Sequence, residues 1–276
     1  PEDIANIEVI KGPAGASSYG TGGSNGVVVI TTKRGKGASS GNNWRMNYKG
    51  TFGYNDQDRE YGEQEFRSYK WVNDYFQPGQ ISKHSVSVSG GTETTNLYFS
   101  LDRPYEEMHT PNNWIDQQNM RANLDFRPND KISIMASTAY NTAEMQLPGR
   151  YRADGVFGIV TYAANPWVMM DPTNERYFDY QTEFSYINSF VGSVTSELTP
   201  FSSGPLAGLS ARLTYGLNDR DNRNIYTAQV TNEDLTGEAD EGEKILSQRN
   251  SQVSTMNWDV KYDYSLGGVS ASSVVG

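Results

Sequence analysis

At 276 residues and 36 % hydrophobic content, the chain could hold one large or two modest domains, yet it is poor in the apolar residues that a buried core of that size uses. No run nears the roughly 18 consecutive apolar residues of a membrane helix, so helical spanning is excluded, whereas a transmembrane barrel needs only every second strand residue to be apolar. The formal charge of −10 argues against a nucleic-acid partner, and the absence of cysteine removes disulfides, thiolate metal sites and cysteine nucleophiles. The 18 tyrosines, 5 tryptophans and 27 glycines suit strands, aromatic girdles and polar loops, so the expected class is all-β.

The chain opens with Ile7, Val9 and Ile10 in a short apolar strand, passes through a glycine-rich run over residues 12–26, and enters a second strand over 27–32 that reads as buried. Lys33, Arg34, Gly35, Lys36 and Gly37 follow as a polar, flexible exit. Residues 1–37 read as the end of a small domain. Residues 38–276 read as a series of long alternating strands. The Gly20, Gly22, Gly23 and Gly26 run leads into a strand and not a helix, which sets aside a phosphate cradle in favour of a turn where glycine permits positive φ.

In the first long segment Trp44, Met46, Tyr48, Phe52 and Tyr54 alternate with Arg45, Asn47, Lys49, Thr51 and Asn55. The same period returns at Met120, Ala122, Leu124 and Phe126, and at Ile132, Ile134, Ala136 and Tyr140, the two joined by a tight turn at Pro128, Asn129 and Asp130. It recurs at Leu209, Ala211, Leu213, Tyr215 and Leu217, and at Met256, Trp258, Val260, Tyr262 and Tyr264. Weaker strands are expected over 83–89, 97–101 and 190–198. Charged residues such as Arg121, Asp125, Arg212 and Lys261 fill the other face, as a wet lumen requires.

Between these strands, long links over 56–80, 142–188 and 219–250 and a medium one through Pro104 and Pro111 alternate with short connections at 90–94, 128–130, 200–208 and 267–268. Such parity belongs to a barrel with short periplasmic turns and long outer loops. Eight strands closed on themselves would enclose only side chains, so about eight strands, with 269–276 starting a ninth, are expected to form part of a wider wall.

The run Asp3-Ile4-Ala5-Asn6-Ile7-Glu8-Val9-Ile10-Lys11-Gly12-Pro13-Ala14, followed by Ser18-Tyr19-Gly20, resembles the plug signature of TonB-dependent receptors. Asn25-Gly26-Val27-Val28-Val29-Ile30-Thr31-Thr32-Lys33-Arg34-Gly35 resembles the close of the plug in their SusC/RagA branch. The resemblance implies an antiparallel transmembrane β-barrel of about 22 strands when complete, of which this chain carries the C-terminal end of the plug and the first part of the wall. It singles out Lys11, Gly12, Pro13, Tyr19, Gly20, Asn25 and Gly26 as the plug motif. It further implies residence in the outer membrane, in contact with its lipid, and import of an oligosaccharide or peptide with a SusD-like surface lipoprotein and the TonB–ExbB–ExbD complex. A siderophore- or cobalamin-type receptor and a non-transporting binding barrel are the alternatives.

No catalytic set and no cofactor are expected: His84 and His109 lie in unrelated segments without carboxylates at ligand spacing. Calcium could be held in an outer loop by Glu238, Asp240, Glu241 and Glu243, although their spacing is not that of an EF-hand. Trp71, Tyr75, Trp114, Trp167, Tyr177 and Tyr180 are candidate loop aromatics for stacking on substrate or meeting a lid protein.

Overall fold

The computed structural model describes residues 4–11, 25–34, 44–62, 73, 76–110, 112–148, 181–228, 242–266 and 269–276. Two short strands, β1 (Ile4–Ile10) and β2 (Val27–Thr32), pair antiparallel as a two-stranded sheet. Nine strands then form one antiparallel sheet in chain order: β3 (Arg45–Asn55), β4 (Gly79–Gly91), β5 (Thr95–Glu107), β6 (Trp114–Asn129), β7 (Ile132–Pro148), β8 (Gln181–Leu198), β9 (Leu209–Ala228), β10 (Glu243–Leu266) and β11 (Val269–Val275). Each strand pairs only with its sequence neighbours, and the sheet is open at β3 and β11 among the described residues.

Register follows every strand across the wall and sorts the side chains into two faces. Leu97, Leu124, Ala136, Val194, Tyr215 and Met256 are successive cross-strand partners on one face, while Tyr98, Asn123, Ser137, Ser193, Gly216 and Thr255 succeed one another on the opposite face. The apolar face carries large exposed side chains, with Phe52 70 % accessible, Met256 66 % and Trp258 53 %. Among the described residues the only buried hydrophobic side chains are Tyr98 and Ala139, both on the polar face. An apolar exterior around a polar interior inverts the soluble pattern and is that of a wall between hydrocarbon and water. Phe52, Leu124, Ile134, Leu213 and Trp258 share the outer face, and Arg45, Lys49, Arg121, Asp125, Arg212 and Lys261 share the inner one, as the alternation predicts; Trp44 lies just before β3, outside the ladder.

The apolar band runs diagonally across the ladder. The row that passes from Tyr48 through Val86, Leu101, Met120, Tyr140 and Phe190 ends on Asp219 and Gln252, so a strand-to-strand path that begins inside the band leaves it. The row from Trp258 through Leu213, Ser196, Ile134 and Phe126 reaches Thr95 at the very start of β5, beyond which β4 has no facing residue. A drift of roughly one residue per strand, at a strand spacing of about 4.8 Å and a rise of about 3.4 Å per residue, corresponds to a stagger of roughly 35° between the strands and the band.

Several strands outrun the alternation that announced them. The ladder of β9 with β10 continues through residues 219–228 paired with 243–252, most of them inside the link expected over 219–250, and Pro104 lies within β5 opposite Lys83 and not in a connection. Beyond the apolar band both faces meet water, so pairing persists with Asn, Asp, Arg and Gln on the outside and the period-two signal vanishes. The connections at the end away from β1–β2 span residues 56–78, 108–113, 149–180 and 229–242, and those at the other end span 92–94, 130–131, 199–208 and 267–268. Each of the second set is shorter than its neighbours along the chain, as the alternation of the sequence predicts, although 199–208 is longer than 108–113. The tight 92–94 turn depends on Gly91, where an added Cβ would lie 2.0 Å from the Thr95 carbonyl oxygen.

The β1–β2 pair also departs from expectation. Ile7 pairs with Ile30 and Val9 with Val28, yet all four are more than half accessible, so this apolar face is not covered by other described residues.

Candidate functional site

The chain leaves β2 at Thr32 and is met at once by the inner face of the wall. Asn123, in the middle of β6, donates its side-chain amide to the Lys33 carbonyl oxygen at 2.5 Å and to Thr32 Oγ1 at 3.5 Å. Its own Oδ1 accepts from Ser137 Oγ at 2.6 Å, the residue directly opposite on β7. Two residues along β6, Asp125 accepts a charge-assisted hydrogen bond from the Arg34 guanidinium. The amide of Asn123 thus binds backbone and hydroxyl at once, which a carboxylate or an aliphatic side chain could not do.

Burial follows the same contact. Asn123 is 2 % accessible and its neighbours Tyr98 on β5 and Ala139 on β7 are buried beside it, with Ser100. A polar group this deep costs about 1–3 kcal/mol when unpaired, so the three bonds of Asn123 make its position specific. The Arg34–Asp125 pair, with 36 % and 14 % side-chain accessibility, contributes less, about 1 kcal/mol or below. The first two strands are therefore tied to the inner face of the sheet by a compact polar junction at its short-turn end.

Elsewhere the inner face carries compensated charges: Lys83 with Glu106 at 3.3 Å and Arg212 with Glu197 at 3.1 Å, while Ser85 donates to Asp102 and Thr195 meets Thr214 at 3.0 Å. The outer face above the apolar band has its own polar belt. There Arg103 pairs with Asp116 at 2.9 Å, and Arg223 lies over the Tyr186 ring, 4.9 Å from its centroid.

Of the plug-motif residues, Lys11 is exposed after β1, Asn25 lies in the turn before β2, and Gly26 has φ +111°, a conformation that glycine adopts without strain. Gly12, Pro13, Tyr19 and Gly20 lie outside the described residues, as do Trp71, Tyr75, Trp167, Tyr177 and Tyr180. Trp114 is the first residue of β6 and not part of a loop; the register turns it to the outer face, where its indole N–H donates to Gln146 Oε1 at 2.7 Å and its ring meets Phe184 edge-on. Glu238, Asp240 and Glu241 are likewise outside the described residues, and Glu243 opens β10 on the inner face. Among the described residues no three His, Asp or Glu side chains gather as a metal site. Asn123 and Ser137 were not singled out by the sequence; their only signal is a polar residue on the inner side of each strand, which many others share.

No protein-family model matches the chain. The TonB-dependent receptor SusC of Bacteroides thetaiotaomicron is 24 % identical over 268 residues, covering 83 % of this chain and 24 % of its own length. Over 96 % of the chain the fold superposes on a protein of the RagAB peptide importer in its closed-closed state, with a TM-score of 0.73, 16 % identity and 37 % of that chain covered. The chain is SusC/RagA-like. A further relative of the SusC/RagA-like chain is TonB-dependent receptor P26 of Formosa agariphila, 23 % identical over 239 residues, with 72 % of this chain and 24 % of that one covered. The RagAB peptide transporter likewise matches the SusC/RagA-like sheet over 99 % of the chain and 40 % of its own, at a TM-score of 0.73 and 16 % identity. The chain spans about a quarter of the length of the curated relatives it matches.

Proposed function

We propose that the protein to which this SusC/RagA-like stretch belongs imports a bulky nutrient, an oligosaccharide or a peptide, across the bacterial outer membrane in a TonB-dependent step. In this reading residues 1–37 close a plug and residues 38–276 form the first part of the barrel that the plug fills. A SusD-like lipoprotein caps the outer mouth and delivers cargo, and TonB with ExbB and ExbD draws on the proton gradient of the inner membrane to displace the plug. The work done is translocation, with no covalent bond made or broken.

The observation that carries this reading is the junction of Lys33 and Arg34 with Asn123 and Asp125. A strand pair tethered by a few hydrogen bonds to the polar side of an apolar-coated wall supports the reading of a segment that obstructs a passage. Bonds worth about a kcal/mol each hold such a segment at rest and yield to modest work. Uptake of a maltooligosaccharide and of an oligopeptide by cells carrying the complete gene, with and without a functional TonB, tests the proposal. Uptake that stops when TonB is removed supports it, and uptake that continues unchanged refutes it.

A further inference from the structure

Several cations on or against the inner face have an acidic partner: Arg34 with Asp125, Lys83 with Glu106, Arg212 with Glu197 and Lys261 with Asp263. Arg220 on β9 and Arg249 on β10 do not. Neither has an ion-pair or hydrogen-bond partner among the described residues, and both are exposed. Register places Arg220 opposite Ser251 and Arg249 opposite Asn222, so the two stand diagonally across neighbouring strands, about 7–8 Å apart at their backbones. Their faces are fixed by the same ladder: Arg220 lies in the row of Ser189 and Ser251, on the side of the wall that Asn123 occupies.

Two guanidiniums so placed repel each other when nothing lies between them. Among the described residues no carboxylate on the inner face neutralises them. The inner face of β8 holds no carboxylate between Glu183 and Glu197, nor that of β10 between Glu243 and Asp259, and Asp219 and Asp221 point to the other side. The surroundings are amides and hydroxyls, among them Asn218, Asn222, Ser189 and Ser251, with the apolar Ile187, Val191 and Val253. Of these, Asn222 Oδ1 is buried without a hydrogen-bond partner, an acceptor left open beside Arg249. A positive, hydrogen-bonding patch in a chain of formal charge −10 is a local choice and not a property of the composition.

We propose that Arg220 and Arg249 form a subsite for a carboxylate on the cargo as it passes the inner wall, a reading that rests on the import function above. One carboxylate between the two guanidiniums replaces their repulsion with charge-assisted hydrogen bonds, and a donor on the cargo satisfies Asn222 Oδ1. The carboxylate can be the C-terminus of a peptide or the acid of a uronic sugar; the chemistry at the wall is the same.

Binding to the purified complete protein distinguishes these sources. The probes are an oligopeptide against its C-terminal amide, and an oligogalacturonide against a maltooligosaccharide of equal length, each followed by titration calorimetry. In at least one pair the acid-bearing member is expected to bind about tenfold tighter or more, and R220Q/R249Q abolishes that preference while leaving the neutral member within about twofold. The charge-preserving R220K/R249K retains part of the preference, which separates charge from folding. A preference that is absent in the natural protein, or that survives in R220Q/R249Q, overturns the subsite. TonB-dependent uptake of the same probes reads the import function independently: cargo taken up without acid preference removes the subsite alone, and no TonB-dependent uptake removes both.

Discussion

Asn123 of β6 and Lys33, ninety positions apart in sequence, are joined by a 2.5 Å hydrogen bond from side-chain amide to backbone carbonyl. The bond ties the tail of the two-stranded sheet to the inner face of the nine-stranded one. The acceptor is backbone, so the partner at position 33 is indifferent to its side chain. At that bond the specificity resides in the wall, while the tail adds side chains of its own through Thr32 Oγ1 and the Arg34 guanidinium.

Asn123→Ala should therefore loosen the tail without disturbing the ladder. The loss of three hydrogen bonds in a buried position is expected to cost about 1–3 kcal/mol, and trypsin should cut after Lys33 and Arg34 faster in the complete protein. A cleavage rate equal to that of the natural protein would show that the junction does not hold the tail. Lys33→Gln, which keeps the carbonyl, should leave cleavage after Arg34 unchanged.

The Arg34–Asp125 pair is partly exposed, and its coupling should be small. A double-mutant cycle with Arg34→Gln and Asp125→Asn is expected to give about 0.5–1 kcal/mol, falling as salt is raised. A coupling insensitive to salt would place the pair in a drier setting than its accessibility describes.

Leu124 lies between Leu97 and Ala136 in the apolar row, whereas Thr214 pairs with Thr195 across the inner face. Leu124→Arg is expected to destabilise insertion into lipid vesicles by about 2–4 kcal/mol near the midplane, against about 0.5 kcal/mol or less for Thr214→Lys. Equal tolerance at both positions, read from folding yield in denaturant titrations, would reject the assignment of faces.

Trp258 stands within the outer apolar band, while Trp114 stands above the polar belt of Arg103, Asp116 and Arg223. In variants that retain one tryptophan each, acyl-chain-brominated lipid should quench Trp258 strongly and Trp114 weakly. Comparable quenching of both would mean that the belt lies inside the membrane and that the band is misplaced.

The alternation of Trp44 to Tyr54, of Met120 to Phe126 and of Met256 to Tyr264 was legible because hydrocarbon imposes a period on any strand that crosses it. Where strands rise beyond the band, as β9 does from Asp219 to Ala228, water accepts any polar residue on either face and the period is lost. That is why the sequence predicts links over 142–188 and 219–250 while β7 extends to Pro148, β8 begins at Gln181, β9 extends to Ala228 and β10 begins at Glu243. Trp114, a loop aromatic by sequence, begins a strand for the same reason.

The amino-acid order by itself determined the class, the sidedness of each strand and the likeness to SusC/RagA-type receptors, because side-chain period and the motif around Asn25 to Gly35 are local properties. Only the tertiary structure decided which inner-facing polar residues meet. Asn123 against Lys33, and Arg220 beside Arg249, depend on registers accumulated over several strands, and a shift of one residue at any ladder would separate them.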